Sequence, residues 1–340
     1  MADKKLSDIK LSVLDLVPIR TGKSIHDSFQ HSLELARHVE QLGYTRYWLA
    51  EHHNMPGIAS SATVVLIGYI AGGTSTLRVG SGGIMLPNHA PLVVAEQFGT
   101  LESLYPGRID LGLGRAPGTD QVTAYALRRD LQGNVEDFPN NVAELKQYLS
   151  ADNSTAKVRA IPGEGLDIPI WILGSSTFGA QLAGMMGLPY AFASHFAPAA
   201  LHAALQVYRE SFRPSEQLQE PYAMACVNVV AADTDAEAEH LATSLYQSFL
   251  NVIQGKALPM QPPVESMKGR WSLQEEYAVK QMLRYSFVGS KKSVQEELQA
   301  FVDETQVDEL MISTGIFDPA KRLHSYTLLS EISELAGAKV

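Results

Sequence analysis

The sequence predicts an α/β fold, a (β/α)8 TIM barrel with insertions after strands 4 and 7. Three observations point there. Short β-type runs alternate with longer stretches of helical periodicity, the pattern of βα units on a parallel sheet. Eight such runs can be counted, the number that closes this barrel. Glycines, hydroxyls, acids and histidines fall just after the runs, at the strand ends where such barrels build their sites.

The first strand covers 11–17 (LSVLDLV), and Pro18 closes it. Over 24–42 the apolar residues Leu35, Val39 and Leu42 recur at helical spacing, and Gly43 stops the helix. The second strand is 44–50. A helix over 60–71 follows, with Ser60 or Ser61 as its N-cap. The third strand, 77–86 (LRVGSGGIML), carries glycines toward its end. Pro91 opens a helix over 91–104, where its missing N–H costs least. Strand four, 108–113, leads into Gly114-Arg115-Ala116-Pro117-Gly118. The rhythm then loosens over 119–167, which holds one helix candidate, 140–149. Strand five (168–173, IPIWIL) precedes a helix over 177–186. Strand six (190–194) precedes one over 198–212, and strand seven (222–231) one over 235–252. Residues 254–276 contain Pro, Met and Lys with weak periodicity and read as an inserted flap. A helix over 293–305, strand eight (309–314, ELMIST) and a helix over 319–335 complete the series.

A barrel of this kind needs about 250 residues. The two loose segments account for the excess in a 340-residue chain, so 1–340 reads as one domain with 119–167 inserted. A doubly wound open sheet is the competing architecture. Its fingerprint is nearly met by GLGRAPG, 112–118, but the spacing is one residue too long and Pro117 interrupts the helix that should begin there.

The composition, 45% hydrophobic and 19% charged, is that of a globular protein with a sizeable core. A net charge of −10 disfavours nucleic acid or an anionic membrane as partner. A single cysteine, Cys226, excludes an intrachain disulfide and a cysteine-rich zinc site, and its apolar surroundings make it a small buried hydrophobe. The N-terminal apolar run is short and broken by Asp15, and nothing approaches a membrane span. A cytoplasmic protein is expected.

Each strand end contributes candidates. Strand two supplies Glu51-His52-His53, strand three Ser81-Gly82-Gly83, strand four Gly114-Arg115, and strand five Gly174-Ser175-Ser176-Thr177. Strand six supplies Ser194-His195-Phe196, and strand eight Ser313-Thr314. In LGSSTFGAQLA a strand, a glycine and hydroxyl residues lead into a helix, which suits a phosphate at the helix N-terminus. Arg115 on the neighbouring strand can add a charge-assisted bond. The simpler alternative is a serine that caps the helix. Gly82, Gly83 and Gly114 read either as plain turns or as room for a flat ligand against the backbone. The contiguous acid and histidines do not suit a metal, because strand alternation points Glu51 and His53 one way and His52 the other. A proton-transfer histidine and a hydrogen-bonded rim histidine both fit the run. His89 and His195, in a loop or at a strand end, are better placed for a site than the histidines within helical patterns. Neither a G-x-S-x-G elbow nor a P-loop is present.

Taken together, three stretches resemble the bacterial luciferase-like, flavin-dependent monooxygenases: YTRYWLAEHHNM, LRVGSGGIMLPNHAPLVVAEQFGTLESLYPGRIDLGLGRAPG and PIWILGSSTFGAQLAGMMGLP. The resemblance runs from about residue 11 to the C-terminus. It implies a barrel that binds FMN, used in reduced form as a cosubstrate from a separate NAD(P)H:flavin reductase, and a homodimer or higher homo-oligomer. It implies that His52 is the active-site histidine and that Glu51 lines the flavin pocket. It implies that Ser81-Gly82-Gly83 backs the isoalloxazine ring and contains a cis peptide bond in relatives. By the same resemblance Arg115 binds the flavin phosphate, together with the turn Gly174, Ser175, Ser176 and Thr177, and 254–276 is a mobile lid. Gly114 stands where the luciferase catalytic subunit has a reactive cysteine, which argues against light emission from a long-chain aldehyde. The expected activity is a two-component FMN-dependent monooxygenase acting with O2 on a small organic substrate. The alternatives are a deazaflavin-dependent hydride-transfer enzyme and a non-catalytic flavin-binding protein.

Overall fold

The computed structural model describes residues 4–116, 120–127 and 137–333. In chain order the elements are β1 (Lys10–Asp15), α1 (Ile25–Gln41), β2 (Arg46–Leu49), α2 (Thr63–Gly72), β3 (Arg78–Ser81) and β4 (Ile84–Met85). They continue with α3 (Pro91–Leu104), β5 (Ile109–Gly114), α4 (Gln121–Leu127), α5 (Phe138–Leu149), β6 (Ile170–Gly174), α6 (Thr177–Met186), β7 (Tyr190–Phe192) and α7 (Leu201–Ser211). The last are β8 (Ala223–Ala232), α8 (Asp235–Ile253), α9 (Leu273–Met282), β9 (Ser286–Ser290), α10 (Lys291–Thr305), β10 (Glu309–Ser313) and α11 (Pro319–Ile332).

The sheet closes on itself. Its order is β1-β2-β3-β5-β6-β7-β8-β10 and back to β1, with every pairing parallel. Closure excludes the open doubly wound sheet and yields the expected eight-stranded barrel. Two short strands lie off the ring. β4 pairs with β5 beyond the end of β3, and β9 pairs with Asn228–Ala232 at the far end of β8.

Local chemistry sets many boundaries. Ser24 and Asp27 form a reciprocal capping box at the start of α1, and Gly43 ends that turn with φ +85°. The expected cap at Ser60 or Ser61 is not made. α2 starts later, after Ala62, and Ser60 is instead fully buried. The single strand expected over 77–86 is two, β3 and β4, separated by Gly82-Gly83, whose peptide bond is cis. α9 and β9 are additions to the expected elements. α9 begins inside the 254–276 flap, capped by Ser272 and Glu275. Residues 119 and 128–136 of the inserted segment, and 334–335 of the last helix, lie outside the described residues.

The larger core lies between the strands and the helical ring. Within the barrel, Leu14, Trp48, Trp171, Met224, Cys226 and Met311 form a separate cluster, with Trp48 and Trp171 edge to face at 5.1 Å. Below it the N-terminal end of the barrel is filled by buried charge. Arg46 pairs with Asp110 at 2.9 Å and with Glu309 at 2.8 Å, and Arg78 reaches Asp110 at 2.7 Å. Trp48 and Tyr222 donate to the same two carboxylates. At the other end, residues 258–260 run beside the loop after β1. Met260 N–H donates to Ile19 O at 2.8 Å, Thr21 N–H donates to Met260 O at 2.9 Å, and the Leu258 carbonyl faces Gly57.

Candidate active site

β2 ends at Leu49, and side-chain alternation persists beyond it. Glu51 is 1% exposed, and its Oε1 accepts from His53 Nε2 and from His89 Nε2, each at 2.8 Å. Its Oε2 accepts the Met85 N–H at 2.9 Å. Burial alone would raise the carboxyl pKa. The hydrogen bonds from His89, His53 and Met85 outweigh it and hold the pKa below the ordinary carboxylate range, so Glu51 is ionised. His52 lies near enough to His195, just past the end of β7, to act on it electrostatically. His195 is pushed down to about 3 by burial and by the neighbouring His52. Its Nδ1 is buried with no hydrogen-bond partner among the described residues.

The rim glycines differ in what a side chain would meet: backbone at Gly83, but the ends of flexible side chains at Gly82 and Gly114. A Cβ on Gly82 would stand 2.8 Å from Leu14 Cδ1, and one on Gly83 would stand 2.8 Å from Gly112 O. One on Gly114 would stand 2.8 Å from Met85 Sδ. At Gly83, side-chain-free backbone lets the β3–β4 link approach β5 whether or not a flat ligand lies above. The Ser81 hydroxyl is also committed, donating to Gly112 O at 2.8 Å.

The turn into α6 is different. Ser176 stands at the N-cap in extended conformation, and its side chain makes no capping bond. The capping alternative is thereby removed, and the first N–H groups of α6 remain for another acceptor. Ser175 and Thr177 are exposed beside them. The Arg115 guanidinium lies 4.1 Å from the centre of the Phe178 ring, in the first turn of this helix. Gly114 pairs in register with Leu173, which brings Arg115 and the turn Gly174–Thr177 to neighbouring strand ends.

The strand-end residues thus gather on consecutive strands, β2, β3/β4, β5 and β6, at one end of the barrel. The sequence left His53, His89 and His195 without roles. The first two bind Glu51 and the third faces His52. The contiguity of EHH signals its own alternation, but nothing near residue 51 announces His89. A groove of about 780 Å³ opens elsewhere, between α8, α9 and residues 265–268. None of these strand-end residues lines it, and its Lys280 is paired with Glu276. Among the described residues no group of three His, Cys, Asp or Glu could hold a metal ion, and no helix is long and apolar enough to cross a membrane.

A closed parallel barrel with an ionised acid, histidines, an arginine and an uncapped helix N-terminus collected at the C-terminal ends of adjacent strands has the architecture of a TIM-barrel enzyme. The family model described as luciferase-like monooxygenase matches residues 9–309, and the chain belongs to that family. A luciferase-like monooxygenase of Escherichia coli (strain K12) is 54% identical over 98% of this chain and 99% of its own length. The N-acetyl-S-alkylcysteine monooxygenase of Bacillus subtilis (strain 168) is 32% identical over 95% and 98%. Among solved structures, apo-MsnO8 superposes with a TM-score of 0.90 at 37% identity, covering 96% of this chain and 99% of that one. Two more distant structures share the fold alone. One is the oxygenating constituent of 3,6-diketocamphane monooxygenase from Pseudomonas putida in complex with FMN (TM-score 0.74, 18% identity, 96% of this chain and 98% of that one). The other is an F420-dependent secondary alcohol dehydrogenase (TM-score 0.70, 13% identity, 97% and 99%).

Proposed function

We propose that this family member is a two-component monooxygenase of the cytoplasm. It takes reduced FMN from a separate NAD(P)H:flavin reductase and uses it with O2 to oxygenate a small organic substrate. The observation that carries the cofactor reading is the uncapped N-terminus of α6 beside Arg115. A helix N-terminus whose own serine leaves its N–H groups free, with an arginine stacked on its first turn, fits a phosphate. Arg115, Gly174, Ser175, Ser176 and Thr177 would hold the phosphate, and Ser81, Gly82, Gly83 and Gly114 would form the wall behind the ring. When bound, reduced FMN supplies the electrons that activate oxygen. Glu51 is a positioning residue that fixes His53, His89 and the backbone of Met85. His52 moves the proton, and strand alternation would put it on the face opposite Glu51. Residues 254–276 act as the lid over this end and exclude water, an assignment supported by the bonds of Met260 to Ile19 and Thr21.

The test is anaerobic fluorescence titration with oxidised and reduced FMN, followed by oxygen uptake. Saturable binding to the wild type, weakened about ten-fold or more in Arg115→Ala, is expected for loss of a charge-assisted phosphate contact. Absence of FMN affinity would sink the reading. Binding of a deazaflavin in its place would move the protein to hydride transfer, and FMN binding without oxygen consumption would make it a flavin carrier.

A further inference from the structure

His195, beside His52, is the histidine at this end of the barrel with a buried ring nitrogen that has no partner among the described residues. Ser194 anchors the turn beneath it, its hydroxyl donating to Cys226 O at 2.6 Å. Asn228 Nδ2 donates to the backbone oxygen of His195 itself at 2.6 Å. The backbone is thus pinned from two sides, and the ring is stacked edge-on against Phe196 at 4.8 Å. Yet the ring's Nδ1 is buried and has no partner among the described residues. A buried polar atom left unsatisfied is costly, and a ligand group or a water that completes it removes that cost. With its pKa pushed down to about 3, the imidazole is neutral at physiological pH and presents one donor and one acceptor nitrogen. Phe196 beside it is 43% exposed, an apolar surface at the same edge of the site.

We propose that His195 is a specificity-determining residue of the barrel mouth, offering its buried Nδ1 to an uncharged polar group on the organic substrate. The body of that substrate lies against Phe196. Its handle is a hydroxyl, carbonyl or amide, because a neutral ring in a desolvated corner hydrogen-bonds such a group and leaves a carboxylate without a countercharge. The inference rests on placing the active site at this end of the barrel. It concerns substrate recognition and not the cofactor.

Three probes that share a phenyl ring test it: benzyl alcohol, acetophenone and benzoate. Their affinities for the full chain are measured by saturation-transfer NMR in the absence of flavin. The proteins compared are the wild type, His195→Phe and His195→Asn, each first checked for a native-like melt, with His195→Leu replacing the Phe variant if that one fails to fold. Asparagine places its amide close to where Nδ1 stands, so it is the conservative rescue. The two neutral probes should bind the wild type about ten-fold more tightly than benzoate. They should lose about ten-fold in His195→Phe and return to within about three-fold of wild type in His195→Asn. Equal affinity in wild type and His195→Phe overturns the proposal. So does a preference for benzoate, a folded His195→Asn variant that fails to rescue, or no neutral-probe binding to the wild type. Flavin titration fails or succeeds independently of these measurements, so the two readings fall separately.

Discussion

Glu51 is ionised in a place almost closed to water, because four donors converge on it, Asn88 Nδ2 being the most distant at 3.5 Å. Its folded pKa is depressed below the usual value of 4.5, so its contribution to stability is present above that value and is lost as pH falls through the folded pKa. Glu51→Gln removes the acceptor charge from His53, His89 and the Met85 N–H. It should cost about 1.5–3 kcal/mol near neutral pH and flatten the acid limb of the stability profile. Urea melts at several pH values measure both effects, and an unchanged profile would refute the assignment. His52→Ala should keep FMN affinity within about two-fold and lower turnover by about 10²-fold or more, the range of one general acid/base. Stopped-flow rates beside a binding titration separate the two. At this scale the bond from His53 to Glu51 agrees with the alternation read from EHH, which puts the two on one face. The sharing of Glu51 with His89 was not legible, since that partner arrives from 38 residues away through the pairing of β4 with β5.

Among the elements, β3, β4 and β5 depend on backbone meeting backbone. A Cβ on Gly112 would stand 2.1 Å from Ser81 O. Nothing flexible is available to yield there, so Gly112→Ala should destabilise the protein by about 3 kcal/mol or more, read as a fall in melting temperature. Gly22 has positive φ and open space around it, so its alanine variant tests backbone conformation without packing. Most elements were legible from periodicity and caps, because helices such as α1 and α8 advertise both an apolar stripe and a capping residue. The split of β3 from β4 was missed although Gly82 and Gly83 signalled a turn, because the apolar residues on either side read as one continuous strand. β9 was hidden for another reason. It pairs with β8 alone, and its SFVGS pattern is short and half-exposed. The turn into α6 was legible as a phosphate cradle or a cap, and the geometry of Ser176 shows only that its side chain makes no capping bond.

For the molecule as a whole, the two ends of the barrel differ in kind. The N-terminal end holds Arg46, Arg78, Asp110 and Glu309 in a buried network that no local pattern in the sequence foreshadows, because its members come from four strands. Asp110→Asn leaves Arg46 and Arg78 short of a countercharge and should cost about 3–5 kcal/mol, measured by chemical denaturation. The outer surface carries a second whole-molecule feature. α2 (TVVLIGYIAG) is apolar nearly all round, yet Val65 is 71% exposed, and Leu104 on the adjoining α3 is 63% exposed. A helix of that composition calls for cover, which supports the homo-oligomer proposed by family analogy. Val65→Glu should shift the sedimentation coefficient toward a monomer, and an unchanged value would place the contact elsewhere. The charged plug at the N-terminal end has a further consequence for traffic. With one end stoppered by ion pairs and tryptophans, the barrel has a single doorway. On the function proposed above, reactants would enter and products leave by that one passage, one after another, and the proposed lid, 254–276, would set the tempo of both.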